Sequence, residues 1–144
     1  MQFKIYGFFN LKGTDISYWS IDYGKKTYLL GDILEYYNVN LLTRDLDFLF
    51  LLDVLEHIPS VKEIRNFLKI TNAKKIVVRI PVSKIEGDPF VFAVSRNDIT
   101  HVQCHTKEWW INLFYLYNFN LIKKFNTLTI HDSEGVFAGV FEKC

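Results

Sequence analysis

The side chains in this sequence best suited to chemistry are two histidines, His57 and His101, and three aspartates near the ends of strand-like runs, Asp15, Asp32 and Asp53. An imidazole changes charge near neutral pH, so either histidine could act as a general base toward an acceptor hydroxyl or amine. His57 follows a long apolar run, and His101 stands beside Thr100 in an irregular stretch ahead of a helix. Asp53, near the end of the apolar run, could line a ligand pocket, because open α/β sheets bind ligands at the carboxyl ends of their strands. Each residue also has an ordinary reading. Asp15 and Asp32 suit helix caps and turns, Asp53 a strand end facing solvent, and His101 the bracing of its loop. Glu56 reads best as a hydrogen-bonded partner of His57 that fixes the loop between them and the next helix. His105 and His131 read as solvent or turn residues, and Arg79 and Arg96 as surface cations. His101 and His105 have the i, i+4 spacing of a metal pair, but that spacing works on a helix and this segment is not helical, so no metal site is expected.

Positioning these residues requires a scaffold, and the chain spells one out. NLKGTDIS is a short strand, and Ser17 is a natural cap for a helix from Tyr18 to about Lys26. TYLLGDI reads as the next strand, ending at Asp32, and residues 34–46 as a polar loop. DFLFLLDVL is a nearly continuous apolar run, the pattern of a strand buried on both faces of a parallel sheet. Ser60 and Glu63 form a capping box for the helix SVKEIRNFLKIT, whose apolar face is Val61, Ile64, Phe67 and Leu68. AKKIVVRIPV is a buried strand stopping at Pro81, and 83–105 is a loop long enough to be functional. A helix capped by Thr106 follows, then NLIKKFNTLTI and GVFAGVFEKC, close enough to pair as an antiparallel hairpin. Strands alternating with helices predict an α/β fold with a mostly parallel sheet.

The bulk composition bounds the rest. The 144 residues, 49% of them hydrophobic, fit one domain with a substantial core. A formal net charge of +1 gives no global pull toward nucleic acid or membrane, and the lysine pairs at 25–26, 74–75 and 123–124 are too scattered for a basic stripe. Cys104 and Cys144 lack zinc spacing and read as free thiols in a reducing compartment. No secretory leader or membrane-spanning run is visible, which predicts a cytoplasmic protein with no membrane partner.

In their order, several of these segments resemble class I S-adenosylmethionine-dependent methyltransferases of the type-11 and type-23 kind. The sharpest piece is Val54, Leu55, Glu56 and His57, followed by Ile58-Pro59, which is similar to that family's VLEH signature after a buried strand opening on an acid, here Asp47. GTDIS resembles the second strand and LLGDI the third, while RIPV and the Thr-His-Val of DITHVQCHTKEWW match later segments. The resemblance covers residues 11 to about 142. It implies a Rossmann-like sheet with a C-terminal antiparallel hairpin and S-adenosylmethionine as cofactor. It also implies that Asp15, with Ile16 beside it, contacts the cofactor ribose, and that Asp32 contacts the adenine with Ile33 packing on the ring.

The sequence departs from the family at its beginning. The first strand and the GxGxG loop that approaches the methionine end of the cofactor should precede Leu11 by about 20 residues. Only ten residues precede Leu11, and none of them reads as GxG. The expectation is therefore a fold whose first strand and glycine loop are missing or replaced, with MQFKIYGFF the candidate replacement. One alternative is a recorded start downstream of the true one; the other is a naturally shortened domain. Two functions follow: methyl transfer to an unidentified small-molecule or macromolecular acceptor, with 83–105 as its lid, or an inactive remnant acting as an interaction or oligomerisation module. A homo-oligomer would use an exposed sheet edge or an aromatic surface.

Overall fold

The computed structural model describes residues 10–127 and 134–144. The candidate replacement strand MQFKIYGFF and His131 lie outside the described residues. The chain falls into two compact units, Met1–Leu41 and Leu42–Cys144, where the sequence reads as one domain.

The first unit is a small βαβ element: β1 (Gly13–Asp15), α1 (Tyr18–Tyr28) and β2 (Leu34–Tyr36), then a 3-10 turn at Val39–Leu41. Ser17 caps α1 as expected, its hydroxyl accepting from the Ser20 N–H at 3.2 Å. The helix runs past Lys26 to Tyr28, and Leu29, with φ of 52°, ends it in the left-handed conformation. Lys25 and Lys26 in its last turn favour that extension, since cations stabilise a helix C-terminus. The strand expected at TYLLGDI is therefore not formed; β2 begins at Leu34, inside the stretch expected to be loop. Gly24 allows the packing, because a Cβ there would come within 2.5 Å of Leu34 Cδ1. β1 and β2 pair in parallel, with Gly13 opposite Leu34 and Asp15 opposite Tyr36.

The second unit carries β3 (Leu46–Leu52), a 3-10 turn (Leu55–His57), α2 (Val61–Ile70), β4 (Ala73–Pro81), α3 (Ala93–Arg96), α4 (Lys107–Leu116), β5 (Phe119–Lys124) and β6 (Val136–Lys143). Its sheet has the order β3-β4-β6-β5. β3 and β4 are parallel, and β6 runs antiparallel to both β4 and β5. Three strands thus point one way and β6 alone is reversed, which is the predicted parallel sheet with a C-terminal antiparallel pair.

Ser60 caps α2 through the Glu63 N–H at 3.2 Å, and Thr106 caps α4 through the Trp109 N–H at 3.1 Å. Each is worth about 1 kcal/mol. Ile64 and Leu68 of α2 and Trp110, Leu113 and Phe114 of α4 are buried against Ile76, Val78, Ile80 and Phe141 of the sheet. The Phe114 and Phe141 rings stack at 4.1 Å. Each large side chain so buried contributes roughly 1.5–3 kcal/mol.

One expectation about β3 fails. Leu51 is buried, but Phe48, Phe50 and Leu52 stay 41%, 42% and 52% exposed. Among the described residues the strand alternates instead of burying both faces, because only one of its faces meets the core.

Candidate active site

β3 and β4 deliver their carboxyl ends to the same edge, as parallel strands must, and the chemistry-bearing side chains of the second unit gather there. Asp53 follows β3 with φ of 53°, a left-handed conformation that aspartate tolerates better than most residues. Its N–H donates to the Arg79 carbonyl at 2.9 Å. Arg79 Nε donates to Asp53 Oδ1 at 2.9 Å, and Arg79 Nη2 pairs with Asp53 Oδ2. The fork closes the end of the strand pair and engages both carboxylate oxygens of Asp53, the residue expected as a cofactor contact, with Arg79.

The turn Leu55–His57 comes next, and the loop after β4 is strapped onto it. Val102 N and Gln103 N both donate to the Glu56 carbonyl, at 2.8 and 3.0 Å, and Gln103 Nε2 donates to the Ile58 carbonyl at 2.9 Å. The far end of the loop is pinned as well. Ser83 N donates to the His105 carbonyl at 3.0 Å, and Glu86 holds His105 Nδ1 at 2.5 Å and the Thr106 N–H at 3.1 Å. Burial pushes the Glu86 carboxyl up, but the bonds from His105 and Thr106 outweigh it and hold it below the ordinary carboxylate range.

This strapping brings His101 to His57. Their rings meet edge to face at 4.6 Å, and Phe90 covers His101 at 5.6 Å. Thr100 Oγ1 lies 3.0 Å from His57 Nδ1 and 2.6 Å from Asp98 Oδ1, which also accepts from the Thr100 N–H at 2.9 Å. A hydroxyl has one proton to give. The shorter bond to a carboxylate takes it, so His57 Nδ1 is the protonated nitrogen and its Nε2 carries the free lone pair. His101 Nε2 sits 3.5 Å from Asp98 Oδ2, while its Nδ1 is buried with no hydrogen-bond partner. Hydrogen bonds from Thr100 hold the Asp98 carboxyl below its ordinary range.

Glu56 departs from expectation. Its side chain is fully buried and neither carboxylate oxygen has a partner. It is not the hydrogen-bonded brace read from the sequence; only its backbone carbonyl holds the loop. Burial, with the nearby negative charge of Asp98, pushes its pKa up to about 7. Sequence spacing pairs His101 with His105, whereas the fold pairs it with His57 and Glu56, and one ligand atom from each of these three lies within 4.8 Å of the others. His105 instead stacks on Trp109 at 3.6 Å.

In the first unit, Asp15 ends β1 as expected and is exposed, its Oδ1 accepting from the Ser17 N–H at 2.7 Å. Ile16 beside it is 76% exposed. Asp32 and Ile33 are displaced from their expected place at a strand's carboxyl end. They precede β2, where the Ile33 carbonyl accepts from Gly13 N at 3.0 Å, and so lie at the opposite end of the strand pair from Asp15. The residue beside Asp15 is Tyr36, whose ring stacks on Tyr18 at 3.9 Å. Sequence reasoning missed this aromatic pair, because the strand that carries Tyr36 reads as loop.

No family model and no curated protein matches this chain. Solved structures do. The PH0226 protein from Pyrococcus horikoshii OT3 is 14% identical with a TM-score of 0.66, over 99% of this chain and 75% of its own. The methyltransferase domain of bacterial CtHen1-C is 15% identical with a TM-score of 0.59, over 92% and 76%. A protein assigned as a type 11 methyltransferase from Sulfolobus solfataricus is 12% identical with a TM-score of 0.63, over 99% and 75%. At such identities what is shared is the fold: the mixed-sheet α/β architecture of methyltransferases that the sequence resemblance implies. Among the described residues, no helix is long and apolar enough to cross a membrane.

Proposed function

We propose that this chain is an S-adenosylmethionine-dependent methyltransferase acting on an oxygen, nitrogen or carbon nucleophile. The observation that carries the reading is the gathering of His57 and His101 at the carboxyl edge of β3 and β4, where open α/β sheets hold their ligands, in a fold shared with methyltransferases.

S-adenosylmethionine would supply an electrophilic methyl group on its sulfonium. The residues present suit its nucleoside end. Asp15 is an exposed carboxylate at a strand's carboxyl end, able to accept from two ribose hydroxyls. Ile16 and the Tyr36 ring offer apolar surface beside it, the place the sequence reading gave to Asp32 and Ile33. The remaining task is to bring the acceptor into line, and alignment supplies most of the acceleration in such transfers. His57 Nε2 takes the acceptor's proton, with Thr100 and Asp98 holding the ring in the tautomer that makes this nitrogen the base. His101 packs edge to face against the same ring. Asp53 acts through Arg79 as a positioning residue, and residues 83–105 set acceptor choice.

The reading is tested by calorimetric titration of the purified chain with S-adenosylmethionine. Saturable binding of one molecule per chain supports it. Absence of heat at millimolar cofactor sinks it in favour of a scaffold that only binds partners.

A further inference from the structure

We infer that Glu56, His57 and His101 form a binding site for one divalent transition-metal ion. Two histidines and one carboxylate are a ligand set that zinc and iron(II) sites use, with further coordination positions left open to water or an oxygen ligand. One donor atom from each residue lies within 4.8 Å of the other two. Around a shared ion with bonds of about 2.1 Å, tetrahedral ligand atoms stand about 3.4 Å apart. The set must therefore contract by at most about 1.4 Å to hold one ion.

The hydrogen-bond pattern leaves free the atoms a metal needs. Both oxygens of the fully buried Glu56 carboxylate lack a partner, and so does the buried Nδ1 of His101. Buried polar groups are otherwise satisfied in folded proteins, so three orphaned acceptor atoms converging on one place need an explanation. Meanwhile the opposite nitrogen of each histidine is held from behind. Thr100 Oγ1 faces His57 Nδ1 at 3.0 Å, and Asp98 Oδ2 faces His101 Nε2 at 3.5 Å. Metal-ligating histidines have this arrangement, the outer nitrogen bound to an oxygen that fixes tautomer and ring orientation. Asp98 serves both rings, through Thr100 to one and directly to the other. The inference stands on these side chains alone; an ion bound here would occupy the Nε2 lone pair of His57, so metal binding and proton uptake by His57 exclude one another at that atom.

The test is titration of the chelator-treated full chain with Co2+, read by its visible absorption, followed by displacement with Zn2+ and calorimetry. The expected result is one ion per chain, with the absorption bands of a low-coordinate nitrogen–oxygen site. His57→Ala and His101→Ala should each weaken binding more than 100-fold. Asp98→Asn, which leaves all three ligands in place, should weaken it by roughly 10- to 100-fold, as loss of an outer partner does. His105→Ala should bind as the parent chain does. Circular dichroism of each variant separates loss of ligand from loss of fold. The inference is overturned if the folded parent chain binds no ion, or if folded His57→Ala and His101→Ala both bind as well as the parent.

Discussion

Thr100 and His57 are 43 residues apart in sequence, and their side chains meet at 3.0 Å. Because Thr100 gives its single hydroxyl proton to Asp98, this contact settles which nitrogen of His57 is free. Thr100→Val removes the acceptor behind His57 Nδ1. Ring nitrogen chemical shifts should show the parent His57, when neutral, mainly protonated on Nδ1, and the variant shifted toward the Nε2 tautomer. Unchanged tautomer populations would contradict the assignment.

Glu56 gives a pH dependence whose sign is fixed. Its folded pKa of about 7 lies above that of the unfolded chain, so the folded state holds a proton that the unfolded state releases. In metal-free protein, stability falls as pH rises from 4.5, the ordinary glutamate value, to about 7, by roughly 3 kcal/mol from this group alone. Glu56→Gln should abolish that part of the slope. Urea unfolding of both proteins at pH 5 and pH 8 checks it: the parent should lose more stability than the variant between the two, and equal losses would contradict the account.

Glu86 behaves in the opposite sense. Its folded pKa is lowered, so its contribution is complete above the unfolded carboxylate value and disappears as pH falls through the folded value. Hydrogen exchange at the Thr106 N–H, which donates to Glu86, reports the bond directly. Glu86→Gln should speed that exchange at neutral pH and leave the β4 amides protected. Global loss of protection would mean that the clamp holds more than its loop.

Asp53 and Arg79 are joined through both backbone and side chain. Arg79→Ala should cost about 1 kcal/mol, modest because the pair is partly exposed. Asp53→Ala should cost about 1 kcal/mol more, because alanine at φ of 53° is strained where asparagine is not. Asp53→Asn should fall below Asp53→Ala. Chemical denaturation ranks the three, and a reversed order would show that the left-handed turn carries no strain.

The parts of this molecule that were legible in its sequence are those written in local chemistry. Ser17, Ser60 and Thr106 each precede a helix and cap it, since a hydroxyl needs only the N–H three residues on. The apolar run before Glu56 reads as a strand because its composition allows little else. β2 was misplaced because Thr27 and Tyr28, which favour strands, form the exposed last turn of α1 instead, where Lys25 and Lys26 favour the helix end; Asp32 and Ile33 moved with it. The proximity of His101 to His57 depends on a loop strapped down by backbone bonds to Glu56, and a bond to a carbonyl leaves no mark on residue type. The orphaned carboxylate of Glu56 was illegible for the same reason: its identity suggests a partner, and only the fold reveals that it has none.

The proposal of methyl transfer is tested most directly by calorimetry with S-adenosylmethionine on the parent chain, Asp15→Ala and His57→Ala. The parent should bind one molecule per chain. Asp15→Ala should bind at least 10-fold more weakly, by the loss of charge-assisted bonds to ribose hydroxyls worth about 1.5–3 kcal/mol. His57→Ala should bind as the parent does, since its work is on the acceptor. No heat with the folded parent chain, or equal affinity in Asp15→Ala, would contradict the account.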